Sequence, residues 1–63
     1  MDLSKLRGAR AEKGLSQSQM AEMLGMSKVS YSKKELGKVP ITIPEAVKMS
    51  TILGKKPESI FFT

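Results

Sequence analysis

Four glycines, at positions 14, 25, 37 and 54, divide this chain, and each is followed within a few residues by a serine, threonine or proline: "KGLSQSQ", "LGMSKVS", "LGKVPITIP", "LGKKPES". Glycine is the usual residue just past a helix end, and Ser, Thr or an early Pro marks a helix start. A chain punctuated this closely can only be a succession of short helices joined by tight turns. Asp2 is a possible cap for the first, whose inner side carries Leu3, Leu6, Arg10 and Leu15 up to the stop at Gly14. Ser16 with Gln19 forms a capping box for the second, where Met20, Ala21 and Leu24 recur at helical spacing before Gly25. Ser27 caps a third helix through Leu36, with Gly37 as its stop; Pro40 holds Val39 extended in the turn that follows. Thr42 with Glu45 opens a fourth helix whose apolar face is read as Ile43, Ala46, Met49 and Leu53, and Pro57 opens a last turn carrying Ile60 and Phe61. No strand of useful length and no repeat is apparent. The expected fold class is all-α, a four- to five-helix bundle formed by residues 1–63 as a single domain.

Composition removes several kinds of function. The 63 residues include no cysteine and no histidine, so a disulfide framework, a thiolate or imidazole metal site and an imidazole base are all out of reach. An enzyme is not expected, nor a cofactor, metal or small-molecule ligand. "LGKKPES" places lysine after glycine, but the upstream glycine and the Ser or Thr that a phosphate loop needs are missing. Eleven Lys and Arg against six acidic residues give a formal charge of +5, which favours a polyanion as partner. No run approaches the roughly 18 apolar residues of a membrane span, and no signal peptide is recognisable, so a cytoplasmic protein is expected. The charges lie on several capped helices and not along one amphipathic face, which argues against a membrane-surface peptide.

The pair of helices around Gly25 admits two readings on spacing alone, a generic αα-corner or a DNA-binding helix-turn-helix. Ala21 is small where a crossing helix comes closest, Gly25 can take positive φ, and Met20, Leu24, Met26 and Tyr31 can fill the space beneath. With these identities, "LSQSQMAEMLGMSKVSYSKKELGK" resembles the phage-repressor and Cro (Xre) family of helix-turn-helix proteins, and the resemblance runs from Leu3 to Phe61. It rests on "LSQ" opening the second helix, "A" and "LG" along it, "S" beginning the third, and "E" then "G" closing it. It implies a sequence-specific double-stranded DNA-binding regulator, a Cro-like repressor, with helix 28–36 in the major groove.

The resemblance also distributes roles. Ser27, Lys28, Val29, Ser32 and Lys33 would reach base edges, the lysines donating to guanine O6 and N7 and Val29 packing on a thymine methyl. Arg7, Ser16, Gln17 and Lys38 would hold phosphates, with the start of the second helix favouring an anion. Arg10 and Glu35, charges on inner stripes that each require a partner, occupy the positions of the family's interhelical ion pair. Ile60, Phe61 and Phe62 correspond to its homodimer contact, with one or two of them expected to remain available; the alternative is that Ile60 and Phe61 close the core of the monomer and Phe62 frays. Lys34 departs from the pattern: an apolar residue is usual there, so either its stem runs along the core or the third helix is rotated slightly. The same fold also serves as an antitoxin or adaptor, for which Met23, Val47, Ile52, Phe61 and Phe62 would be the adhesive surface. Met20, Met26 and Met49 read as packing, and Met23 as lying to the side.

Overall fold

The computed structural model describes residues 3–62, and within them the chain forms α1 (Leu3–Glu12), α2 (Gln17–Leu24), α3 (Lys28–Glu35), α4 (Ile43–Leu53) and α5 (Pro57–Phe61), with no strand among the described residues. Asp2, expected to cap α1, lies outside the described residues. Local chemistry sets the remaining boundaries. Ser16 Oγ accepts from Gln19 N at 3.0 Å while Gln19 Oε1 accepts from Ser16 N at 2.8 Å, so two otherwise orphaned donors at the start of α2 are satisfied reciprocally. Thr42 and Glu45 repeat the arrangement at α4, and Ser27 Oγ accepts from Ser30 N at 3.1 Å at α3. Each such cap stabilises its helix by about 1 kcal/mol.

At the turn between α2 and α3, Gly25 takes φ 72°, and the bonds Met26 N to Ala21 O (3.0 Å) and Gly25 N to Glu22 O (3.1 Å) close the helix. An L side chain rarely adopts that φ, which is why glycine stands there. Gly37, at φ 81°, is tighter still: a Cβ would lie 3.3 Å from Leu3 Cδ1. Helix α3 stops at Glu35, with Leu36 as its cap residue, one residue before the expected end.

Leu6, Met20, Ala21, Tyr31, Met49, Ile60 and Phe61, with Ala9, Leu24, Ala46 and Leu53, form the core, and Leu3, Leu15, Met26, Ile41 and Ile52 pack around it. Each large side chain buried this way contributes about 1.5–3 kcal/mol. Helix α2 packs on α3 and α4, and α1 packs on α3 and α5. The helix-turn-helix pair is thereby clamped from two sides.

Three readings of the sequence are corrected here. Ile43 is 65% exposed, since the buried stripe of α4 is Ala46, Met49, Ser50 and Leu53, and Ile43 sits on its flank beside the half-exposed Val47. The buried Ser50 hydroxyl donates to Ala46 O at 2.7 Å, so its place in the stripe costs little. Ile60 and Phe61 are 1% and 2% exposed, closing the core between α1 and α4, so neither is open to a second chain; Phe62, at 59%, remains outside. The adhesive surface assembled from Met23, Val47, Ile52, Phe61 and Phe62 therefore loses Phe61, and Ile52 packs against the core.

Candidate nucleic-acid interface

Helix α3 has two faces of opposite character. Tyr31 and Glu35 are buried, whereas Val29, Lys33 and Leu36, at i, i+4 and i+7, form a stripe pointing outward. Lys28, Val29, Ser32, Lys33, Leu36 and Lys38 line one open depression that contains three lysines and no carboxylate. Lys38 reaches it because the chain folds back over the end of α3, Lys38 N donating to Lys33 O at 2.9 Å. Four of the five residues expected at base edges thus share a surface with one of those expected at phosphates. Ser27 is also exposed but serves as the helix cap. Leu36, 59% exposed, belongs to this surface and was missed; its i+7 relation to Val29 was the signal that could have found it.

The inner face of α3 is fixed by an ion-pair network. Arg10 Nε donates to Glu35 Oε2 at 2.8 Å and Arg10 Nη2 to Glu35 Oε1 at 3.0 Å, a bidentate pair whose acid is 1% exposed. Arg10 Nη1 donates to Leu15 O at 2.8 Å and so also holds the α1–α2 turn. Burial pushes the Glu35 carboxyl up, but the hydrogen bonds it receives, that from Arg10 foremost, outweigh burial and leave it below its ordinary value. The same bonds raise Arg10. Tyr31 is held up by burial, then by the adjacent carboxylate; its hydroxyl is buried and lacks a hydrogen bond of good geometry.

Two residues expected to hold phosphates prove to belong to this network as well. Gln17 Nε2 donates to Glu35 Oε1 at 3.1 Å, and Arg7 Nη1 donates to Glu35 O at 3.1 Å, satisfying a carbonyl at the end of α3. Gln17 keeps a second amide N–H, and Arg7 keeps further guanidinium donors on an exposed side chain. Ser16 is exposed at the start of α2, with its hydroxyl occupied in the capping box.

Lys34 is fixed on another side of α3. Its Nζ donates to Glu45 Oε1 at 2.6 Å, and the same carboxylate accepts from Thr42 N at 2.9 Å, so one acid both caps α4 and ties α4 to α3. Hydrogen bonding by Lys34 is the main reason the Glu45 carboxyl lies below its ordinary value. The Lys34 side chain is only 13% exposed, so its stem is largely covered while its ammonium meets a partner across the turn. Among the described residues no cluster of carboxylates could hold a metal, and no helix is long and apolar enough to cross a membrane.

A pair of short packed helices, a glycine-closed turn and a lysine-bearing outer face on the second helix define a helix-turn-helix unit. A helix-turn-helix family model matches residues 6–60. The chain belongs to this family, in its phage-repressor and Cro-like branch. It is 40% identical over 50 residues to the SPbeta prophage-derived uncharacterized HTH-type transcriptional regulator YonR of Bacillus subtilis (strain 168), an alignment covering 79% of this chain and 46% of that protein. The chain thus spans about half the length of this curated relative. No solved structure gives a significant match.

Proposed function

We propose that the protein is a sequence-specific double-stranded DNA-binding transcriptional regulator that lays α3 in the major groove and represses by occupying an operator. The single observation carrying this reading is the acid-free outer face of α3, where Lys28, Val29, Ser32 and Lys33 converge with Lys38. Family membership and the relative's description as a transcriptional regulator support it. Lys28, Val29, Ser32 and Lys33, with the Ser27 hydroxyl, face base edges. Lys38, Ser16, the remaining N–H groups of Gln17 and the guanidinium of Arg7 face phosphates, positioning the protein without reading sequence. Phosphate binding by Gln17 is indirect in its precision: the side chain that reaches outward is itself held by Glu35.

The protein acts in the cytoplasm, as a single domain over residues 1–63, without catalysis or cofactor. It binds as a homodimer through a surface that includes Phe62, bringing two copies of α3 to half-sites about 34 Å apart. Selection from a random duplex pool tests the whole reading, since it reports binding, half-site symmetry and spacing together. About 6–8 phosphate contacts per dimer give a slope of log K against log salt of about −5 to −7. Lys28→Ala shifts preference at one base pair by about 1–3 kcal/mol, whereas Lys38→Ala weakens all sequences alike. Failure to retain any duplex at low salt defeats the proposal.

A further inference from the structure

The chemistry offered by α3 is one-sided. Lys28 and Lys33 can only donate, Val29 and Leu36 offer only methyl groups, and the one carboxylate of the helix, Glu35, is turned inward and held by Arg10. No asparagine, glutamine or outward-facing acid is present between Lys28 and Leu36. The exposed acceptors are serine hydroxyl oxygens, and that of Ser27 is already used by Ser30 N. In the major groove, guanine presents two adjacent acceptors, O6 and N7, and thymine presents an acceptor, O4, beside a methyl group; adenine presents a single acceptor, N7, beside an amino donor, and cytosine an amino donor alone. A lysine ammonium placed against an amino group leaves both donors unpaired in a desolvated contact, which is strongly disfavoured.

We infer that this face reads keto bases: the edges it contacts in each half-site are guanine and thymine, guanine through Lys28 and Lys33 and thymine through its methyl group against the Val29–Leu36 stripe. Adenine and cytosine are disfavoured at the two lysines, because adenine offers one acceptor beside an amino donor, cytosine offers only an amino donor, and the face carries no side-chain amide or carboxylate to receive those donors. The inference rests on the major-groove reading above and extends it to the class of base selected. Val29 and Leu36 are 64% and 59% exposed and lie outside the core, so their effect on DNA is separable from folding by a thermal midpoint measured beside it. The two apolar residues also lie on either side of Lys33 along one stripe, Val29 about 6 Å from it along the helix axis, so a thymine methyl contact and a guanine contact fall within about two base pairs of each other.

The test starts from the duplex selected out of a random-core pool by the purified chain. It is remade with deoxyuridine at each thymine in turn, which removes only the methyl group, and with 7-deazaguanine at each guanine, which removes only N7. One or more thymine positions in each half-site should lose about fourfold in affinity, as expected for one methyl group withdrawn from an apolar contact. Val29→Ala should bind thymine and deoxyuridine duplexes equally at that position, with an unchanged thermal midpoint. At least one guanine should lose about tenfold on 7-deaza substitution, and Lys33→Met or Lys28→Met should abolish that difference. Selection of a duplex in which neither substitution matters anywhere overturns the base-class inference while leaving DNA binding intact. Retention of no duplex overturns both.

Discussion

Residues 34 and 35 are neighbours on α3, carry opposite charges and are each tied to another part of the protein, yet the two ties differ in kind. Glu35 is buried and receives Arg10 twice and Gln17 once, joining α1, α2 and α3 at one carboxylate. Lys34 and Glu45 stay 13% and 24% exposed and join α3 only to the start of α4. In the first, every donor and acceptor is arranged by the packing of three helices, and loss of one partner strands a charge out of water. In the second, water can replace the missing partner and half of the work of Glu45 is local capping. Where the acid is buried the tie determines how α3 is mounted; where it keeps some contact with water the tie steadies the turn that carries Lys38.

This contrast can be broken or sharpened experimentally. The largest effect is expected for Arg10→Met, which leaves Glu35 buried without its partner: about 3–5 kcal/mol of stability lost by chemical denaturation. A loss below about 1 kcal/mol would place the two pairs in the same class. Acidification comes next. The Glu35 carboxyl lies below its ordinary value of 4.5 in the folded protein, so the stability it contributes is present above that pH and drains away as pH falls through the folded value. Denaturation midpoints measured on the acid side should drop, and drop less in Glu35→Gln.

Thr42→Ala should cost about 1 kcal/mol, the usual loss on removing such a cap. Glu45→Gln separates the two duties of that residue, since a glutamine can complete a capping box as Gln19 does in α2. It should cost about 0.5 kcal/mol, the worth of a pair that is still partly in water. The smallest change is expected for Lys34→Met, under about 0.5 kcal/mol from the parent, because the apolar stem is retained and the charge it loses was partly hydrated. Glu45→Gln destabilised as much as Arg10→Met would erase the distinction.

The parts of the fold that could be read in the sequence are those written in adjacent residues. Ser16 with Gln19, Thr42 with Glu45, and Gly25 all act within one turn of chain, so their roles follow from covalent proximity and backbone preference. The charge on inner stripes announced that Arg10 and Glu35 needed partners, and family resemblance supplied the pairing. What could not be read depends on distant chain. Gln17 and Arg7 are drawn to Glu35 across 18 and 28 residues, and the sequence at either position is equally suited to facing solvent. Lys34 finds Glu45 only because the turn at Gly37 brings α4 back beside α3. Ile60 and Phe61 look surplus on a five-residue helix, but α1 and α4 together offer a cleft large enough for both.

Only Tyr31 and Glu35 of the eight residues in α3 are buried. The anchoring of this helix is therefore concentrated in two side chains and their neighbours, while most of its length carries no obligation to the rest of the molecule. On the function proposed above, exchanging Lys28, Val29, Ser32 or Lys33 would alter what is bound without asking the scaffold to be solved again. On that proposal, a lineage built on such a helix would drift from one operator to another by single substitutions, each tolerated by folding before it is judged by recognition.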